Sequence, residues 1–393
     1  MLLREILKAM IFNCWLRNLI LLLNYSTCRT DVQEDAVQEN VTMTKILPKV
    51  TGKFHTTMKA VGLYQYLPIS DKNSLIDMEL KLPTVEKTEV LVEVKAISVN
   101  PIDTKIRAPK PYIETYPRIL GWEGAGTVVA TGKDVNIFNL VDDVYFTGDL
   151  RRNGSNAQYV ALDQIFIGPK PKNLTFEQAA AMPFTTVTAF EALYDRLLLT
   201  NKDKGKSLLI INSSGGVGAI ATQLAAYLKL KVIGTASSIA TEEFSRRNGA
   251  QIVVNHTTDL LPQLEAKGFG NGVDYILVND NPYPYWDVLI NAIKPKGKIC
   301  IIVENSGMVD IKPLKDKKVT LMSEMMATKM NYDIKDKGRH HEILKIASKM
   351  FDNGTLTPTL TKTLAPINAA TLREAHRLIE EKRLLGKLVL SGF

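Results

Sequence analysis

Ser207-Leu208-Leu209-Ile210-Ile211-Asn212-Ser213-Ser214-Gly215-Gly216-Val217-Gly218 is the stretch that decides the fold. Its first five residues form a branched apolar run with the length of a buried strand. Asn212 to Ser214 interrupt the run, and the glycines open a helical pattern that reaches Leu228. A strand, a glycine-rich turn and a helix starting at that turn make a dinucleotide-binding beginning. The free N–H groups and positive dipole end of such a helix face a pyrophosphate, and glycine lets the backbone come close. Ser213 stands where the strict pattern has its first glycine, a departure from it. Residues 231–235 supply a second strand at the expected distance. Gly215, Gly216, Val217 and Gly218 are therefore the candidate cofactor contacts.

Downstream, residues 241–248 read as a helix, 251–254 and 273–278 as strands, 286–293 as a helix, and 298–303 and 319–325 as strands. This alternation implies a doubly wound parallel sheet with helices on both faces, an α/β fold. Upstream, residues 90–94 and 96–99 read as a half-buried strand, followed by a polar turn at Asn100-Pro101-Ile102-Asp103 entering a short helix. Closely spaced short strands at 127–130, 143–147, 156–162 and 164–167 suggest a partly open β-barrel. Thr175 and Gln178 have the spacing of a capping box opening a helix over 175–182, and a second helix runs over 186–194. The tail changes character: a helix at 340–351, an extended segment at 356–364, a helix at 369–382 and a closing strand at 387–390.

The chain has 393 residues, 45% hydrophobic and 23% charged, which suits two or three soluble globular domains. The net charge of +8 is dispersed. The densest groups, Lys202, Lys204, Lys206 and Lys315, Lys317, Lys318, read as solvated loops, so no nucleic-acid partner is expected. Three cysteines, Cys14, Cys28 and Cys300, exclude a disulfide framework and fit a reducing compartment. Residues 9–23 are apolar but broken by Asn13, Arg17 and Asn18, which makes a poor membrane span. A basic presequence, a signal peptide or anchor, and an extension of no consequence all fit residues 1–57, with 31–55 as a linker. The expected location is cytoplasmic, with mitochondrial targeting as the alternative.

Several motifs in order resemble the medium-chain dehydrogenase/reductase superfamily, its quinone-oxidoreductase branch and, within that, the bacterial zinc-type alcohol dehydrogenase-like proteins. They are Ser98-Val99-Asn100-Pro101-Ile102-Asp103-Thr104-Lys105, Leu120-Gly121-Trp122-Glu123-Gly124-Ala125-Gly126, Ala180-Ala181-Met182-Pro183, Thr188-Ala189, Gly215-Gly216-Val217-Gly218 and Gly386-Lys387-Leu388-Val389-Leu390. The resemblance implies a GroES-like catalytic domain from residues 58–184 and 336–393, with a Rossmann nucleotide domain at 185–335 inserted between. It also implies that Asn100 and Asp103 line the substrate side of the nicotinamide pocket, that Lys105 stands where relatives often have Tyr, and that Thr188 touches the cofactor. Capping of the short helix is an equal reading for Asp103, and a buried helical hydroxyl for Thr188.

Zinc-using members hold their catalytic metal with three ligands, and the structural zinc needs four cysteines. By the resemblance, Asn100, Trp122 and Phe184 stand at the three catalytic positions, and no cysteine lies between Cys28 and Cys300. Glu123 alone holds no metal, and His340 and His341 are expected at the surface of a charged helix. The expectation is a zinc-independent enzyme. Without a Lewis acid, hydride transfer suits acceptors that delocalise charge themselves, quinones and α,β-unsaturated carbonyls. Tyr112, Tyr116 and Tyr159 are candidate proton donors or packing residues. At the end of the second strand, Thr235-Ala236-Ser237-Ser238 has hydroxyls and no acid until Glu242, and Ser237 falls where an NAD site places its acid. Ser237 and Ser238 therefore favour NADPH over NADH, although the basic residue of many NADP-binding relatives is missing. His256 matches a position beside the adenosine. The apolar strand over residues 319–325, which include Val319 and Met325, is expected to pair across a two-fold axis in a homodimer. The rival readings are a zinc alcohol dehydrogenase and a non-catalytic NADPH-binding protein.

Overall fold

In this computed structural model, the described residues are 56–303, 307–328, 332, 338–382 and 384–393. The N-terminal presequence and linker readings, Cys14, Cys28 and the domain boundary at 335/336 lie outside them. Among the described residues no helix is long and apolar enough to cross a membrane.

Six strands build the nucleotide-type sheet: β9 (Ser207–Ile211), β10 (Lys231–Ala236), β11 (Ile252–Asn255), β12 (Val273–Val278), β13 (Ile293–Ile301) and β14 (Thr320–Ser323). Their order is β11-β10-β9-β12-β13-β14, and every pairing is parallel. Leu208 and Ile210 of β9 enter one hydrophobic core while Leu209 and Ile211 enter another. Both faces of the sheet are thus covered, which explains why β9 is apolar at consecutive positions. The strand order reverses beside β9, and a crevice at the carboxyl ends of such strands is where open α/β sheets bind ligands.

A second sheet is built from both ends of the chain. It comprises β3 (Glu89–Ser98), β5 (Glu123–Thr131), β6 (Asp143–Thr147), β7 (Tyr159–Asp163), β8 (Ile167–Pro169), β15 (Leu360–Leu364) and β16 (Lys387–Ser391). The tail strand β16 pairs antiparallel with β3, Val389 opposite Ser98. A three-stranded sheet of β1 (Thr57–Tyr66), β2 (Ile76–Lys81) and β4 (Lys110–Ile119) completes the strands, in the order β2-β1-β4.

Some elements differ from the sequence expectation. β2 and β4 had no strand signal; β4 carries Pro111 and Pro117, which an edge strand tolerates and a central one does not. Gln164–Phe166 is a 3₁₀ turn, not strand, because the Asp163 carboxylate accepts the Ile165 N–H and caps it. The helix expected over 186–194 begins at Pro183 and passes into a π-helical segment, Glu191–Arg196. The lysine clusters brace loops: Lys206 pairs with Asp203 at 2.8 Å, and the Lys317 Nζ donates to the Ile290 carbonyl at 2.7 Å.

Candidate active site

The glycine turn opens the helix Gly216–Tyr227, with Gly215 as its N-cap. A Cβ on Gly218 would lie 2.1 Å from the Asn212 carbonyl oxygen, so the helix packs against the strand end at a distance only glycine permits. Ser213, at the first-glycine position, is fully buried; its hydroxyl donates to the Thr235 carbonyl at 3.1 Å and lies 2.8 Å from the Ser245 hydroxyl. Gly234 on the next strand makes room, since a Cβ there would stand 2.4 Å from the Ser213 Oγ. The missing glycine is thus compensated on β10, and Gly215, Gly216 and Val217 stay partly open at the crevice.

Around that turn lie polar atoms that fit a dinucleotide. Asn279, just past β12, has a side-chain amide whose oxygen and nitrogen are both buried without partners. His256 follows β11 and packs edge-on to Tyr285, its Nδ1 likewise buried and unpaired. Burial lowers the His256 pKa and so favours the neutral ring, against the opposing charge of Asp280. Ser237 and Ser238 are exposed at the end of β10; Ser238 Oγ caps the helix Ile239–Arg247 by accepting the Thr241 N–H at 3.3 Å. Thr188 is buried, and its hydroxyl donates to the Phe184 carbonyl at 2.8 Å, the helical hydroxyl of the bland reading.

The tail reaches the same turn. Gly386 forms a bridge with Gly215, its N–H donating to the Ser214 carbonyl at 2.9 Å. The next side chain, Lys387, is 4% exposed and enters a closed network. Its ammonium donates to Asn100 Oδ1 at 2.5 Å and to Glu123 Oε2 at 2.8 Å. The Asn100 amide donates to the same Glu123 oxygen at 2.7 Å, and the Phe184 N–H donates to Glu123 Oε1 at 2.7 Å. Asp103 adjoins: its Oδ2 accepts the Asn100 N–H at 2.6 Å, while its Oδ1 is buried without a partner. Burial pushes the Asp103 carboxyl up to about 7 against the Asn100 N–H and the Lys387 charge, and the Glu123 charge adds to the rise. Such a carboxyl titrates near neutral pH, where its protonated and ionised forms are both populated.

Asn100 and Asp103 are therefore brought together, capping the helix Pro101–Arg107 and facing the network at once. Lys105 is on the exposed side of that helix. Tyr112 and Tyr116 are largely exposed, and Tyr159 is half-buried. The expectation that His340 lies at the surface is corrected: it is fully buried, its Nδ1 3.2 Å from the Thr147 hydroxyl and its Nε2 3.9 Å from Glu191. His340 shares the apolar stripe of Ile343, Leu344, Ala347 and Phe351 on the helix Arg339–Asp352, a helical spacing readable in the sequence. His341 is half-buried, its Nδ1 2.7 Å from the Ile167 carbonyl. Sequence reading overlooked Lys387 and Glu123 as partners. Their motifs were visible, but their pairing was not.

The three positions that the resemblance assigns to zinc ligands carry an amide, an indole and a phenyl ring. Trp122 is buried with its Nε1–H donating to the Arg152 carbonyl at 3.3 Å, and the Asn100 amide is taken up by Glu123 and Lys387. This donor set does not fit a zinc ion. Among the described residues no group of three His, Cys, Asp or Glu is arranged to hold a metal.

Residues 86–172 match the family described as alcohol dehydrogenase GroES-like domain, and residues 248–390 the family described as zinc-binding dehydrogenase. A zinc-type alcohol dehydrogenase-like protein of Staphylococcus epidermidis is 37% identical over 337 residues, covering 85% of this chain and 99% of its own. The chain belongs to the medium-chain dehydrogenase/reductase superfamily. It is an oxidoreductase of that superfamily, with the GroES-like and Rossmann-like architecture the resemblance implied. A crystal structure of a proposed zinc-dependent alcohol dehydrogenase from Rhizobium etli superimposes with a TM-score of 0.82 at 37% identity, covering 86% of this chain and 99% of that one. An NADPH-dependent alkenal/one oxidoreductase of Arabidopsis thaliana chloroplasts is 26% identical over 325 residues, covering 80% of this chain and 75% of its own.

Proposed function

We propose that this protein is a zinc-independent, NADPH-dependent reductase of α,β-unsaturated carbonyls or quinones. The observation that carries the reading is the Lys387 ammonium, buried between Asn100 Oδ1 and Glu123 Oε2 beside the positions where zinc-using relatives place ligands. The printed activity of the Arabidopsis relative, at 26% identity, supports the acceptor class. When bound, reduced nicotinamide supplies a hydride. The chain's own part is to bind, orient and handle protons. Gly215, Gly216, Val217 and Gly218 offer the helix N-terminus to the pyrophosphate. Ser237 and Ser238 accept a 2′-phosphate that an acid would repel, and His256 and Asn279 offer unpaired polar atoms along the crevice. Asn100 and Asp103 form the wall behind the acceptor. Few cysteines and a nicotinamide-dependent reduction fit a cytoplasmic setting.

The test is NADPH oxidation by the purified full chain with small enones and quinones, with NADH and a chelator as controls and metal content measured alongside. Saturable turnover that prefers NADPH and survives chelation is the expected result. Activity lost to the chelator, with stoichiometric zinc, establishes the alcohol dehydrogenase rival. Tight NADPH binding with no turnover establishes the non-catalytic one.

A further inference from the structure

We infer that Arg107 and Glu380 are positioning residues, holding the helix Pro101–Arg107 and the closing tail at the register where Asn100 meets Lys387. The inference rests on reading the Asn100–Glu123–Lys387 network as part of the active site. The helix that presents Asn100 and Asp103 has seven residues, too few to hold itself in water. Asn100 and Asp103 secure its start. Arg107 secures its end: the guanidinium, 2% exposed, donates to the Leu67 carbonyl at 2.5 Å and pairs with Glu380 Oε1. Glu380 is the last residue of the helix Ala369–Glu380, from which the chain runs directly to Gly386 and Lys387. The two segments that supply Asn100 and Lys387 are thus joined twice, once at the network and once at this pair, in which Arg107 is buried and Glu380 meets it from the surface.

Burying a guanidinium is a poor choice for stability alone, because an apolar side chain of similar size packs as well without the desolvation cost. What the pair supplies is direction: a planar guanidinium fixes both the angle and the register of what it grips. His376, one turn before Glu380, is fully buried with both ring nitrogens unpaired. Burial and the Arg107 charge lower its pKa to about 3, so it stays neutral and does not compete with Arg107 for the Glu380 carboxylate.

The experiment compares Glu380→Gln and Arg107→Lys with wild type by two readouts. The first is the titration of the Asp103 carboxyl, followed by carbon-13 NMR and assigned through Asp103→Asn. The groups facing that carboxyl are the Asn100 and Gly121 N–H groups, the Lys387 ammonium and the Glu123 carboxylate. Release of the clamp lets Lys387 drift away, so the Asp103 midpoint rises by about half a unit or more in both variants. Direct loss of the Glu380 charge would move it the other way. The second readout is kinetic: kcat falls about ten-fold while the NADPH Kd stays within about two-fold. A folded Glu380→Gln protein whose Asp103 midpoint is unchanged or lower overturns the inference, whatever its melting temperature. Should that variant not fold, Arg107→Lys, which keeps the charge and loses the fork, decides by the same criterion. If wild type turns over no enone or quinone, a risen midpoint still supports the clamp while the functional reading falls.

Discussion

At the scale of single residues, Asp103 shows how surroundings decide chemistry. In the folded chain its carboxyl keeps a proton up to about pH 7, against an ordinary value of 3.8. The folded state therefore binds more protons than the unfolded one between those values. The stability this group contributes is complete below 3.8 and is lost as pH rises through about 7. Asp103→Asn keeps a neutral side chain at every pH, so its stability relative to wild type should improve by up to about 4 kcal/mol between pH 4 and pH 8. Urea midpoints at both pH values measure this; a constant difference refutes the buried-proton assignment. Lys387→Met leaves the Glu123 carboxylate buried and uncompensated, and should cost about 3–5 kcal/mol. Adding Glu123→Gln should recover at least about 1 kcal/mol of that loss in a double-mutant cycle, and strict additivity would deny the pair. Asn100 with Asp103 was legible because a capping box is local. Lys387 with Glu123 was not, because 264 residues separate them and neither motif names its partner.

At the scale of elements, the strand, glycine turn and helix form as expected despite the serine. The reason lies on a different strand: Gly234 leaves the space that Ser213 fills. Two glycines of the turn should respond differently to alanine. At Gly218 the added carbon meets the Asn212 carbonyl at 2.1 Å, rigid backbone that has nowhere to go. At Gly216 it meets the Lys387 Cδ and the Thr185 Cγ2, both at 2.9 Å, and side chains can adjust. Gly218→Ala should therefore lose about 1–3 kcal/mol, more than Gly216→Ala, and bind NADPH about ten-fold more weakly. Thermal melts and fluorescence titration rank them, and the reverse order would refute the close-approach argument. Elements were legible where apolar runs bounded by turn residues stood out, as in β9 to β12. One was missed where prolines hid an edge strand, as in β4, and on the helix Arg339–Asp352, which was expected, it was the burial of His340 that went unread.

At the scale of the whole molecule, β14 ends the parallel sheet with one edge unpaired among the described residues, Leu321 39% exposed. The strand is shorter than expected, Thr320–Ser323, yet it is at the edge the dimer proposal requires. We expect light scattering of the full chain to give twice the monomer mass, and Leu321→Lys to shift it toward monomer; a monomeric wild type rejects the proposal. The sequence alone determined most elements, β2 and β4 excepted, and the order in which they follow one another, because strand and helix periods, caps and a glycine turn are all set by neighbours along the chain. It also determined the superfamily, since several short motifs in a fixed order carry that information. Only the tertiary structure decided which tail residue meets which turn, that a lysine is buried between Asn100 and Glu123, and that burial raises the pKa of Asp103. Burial and ion pairing are set by what lies across space, and the chain closes those distances only when β16 returns to β3.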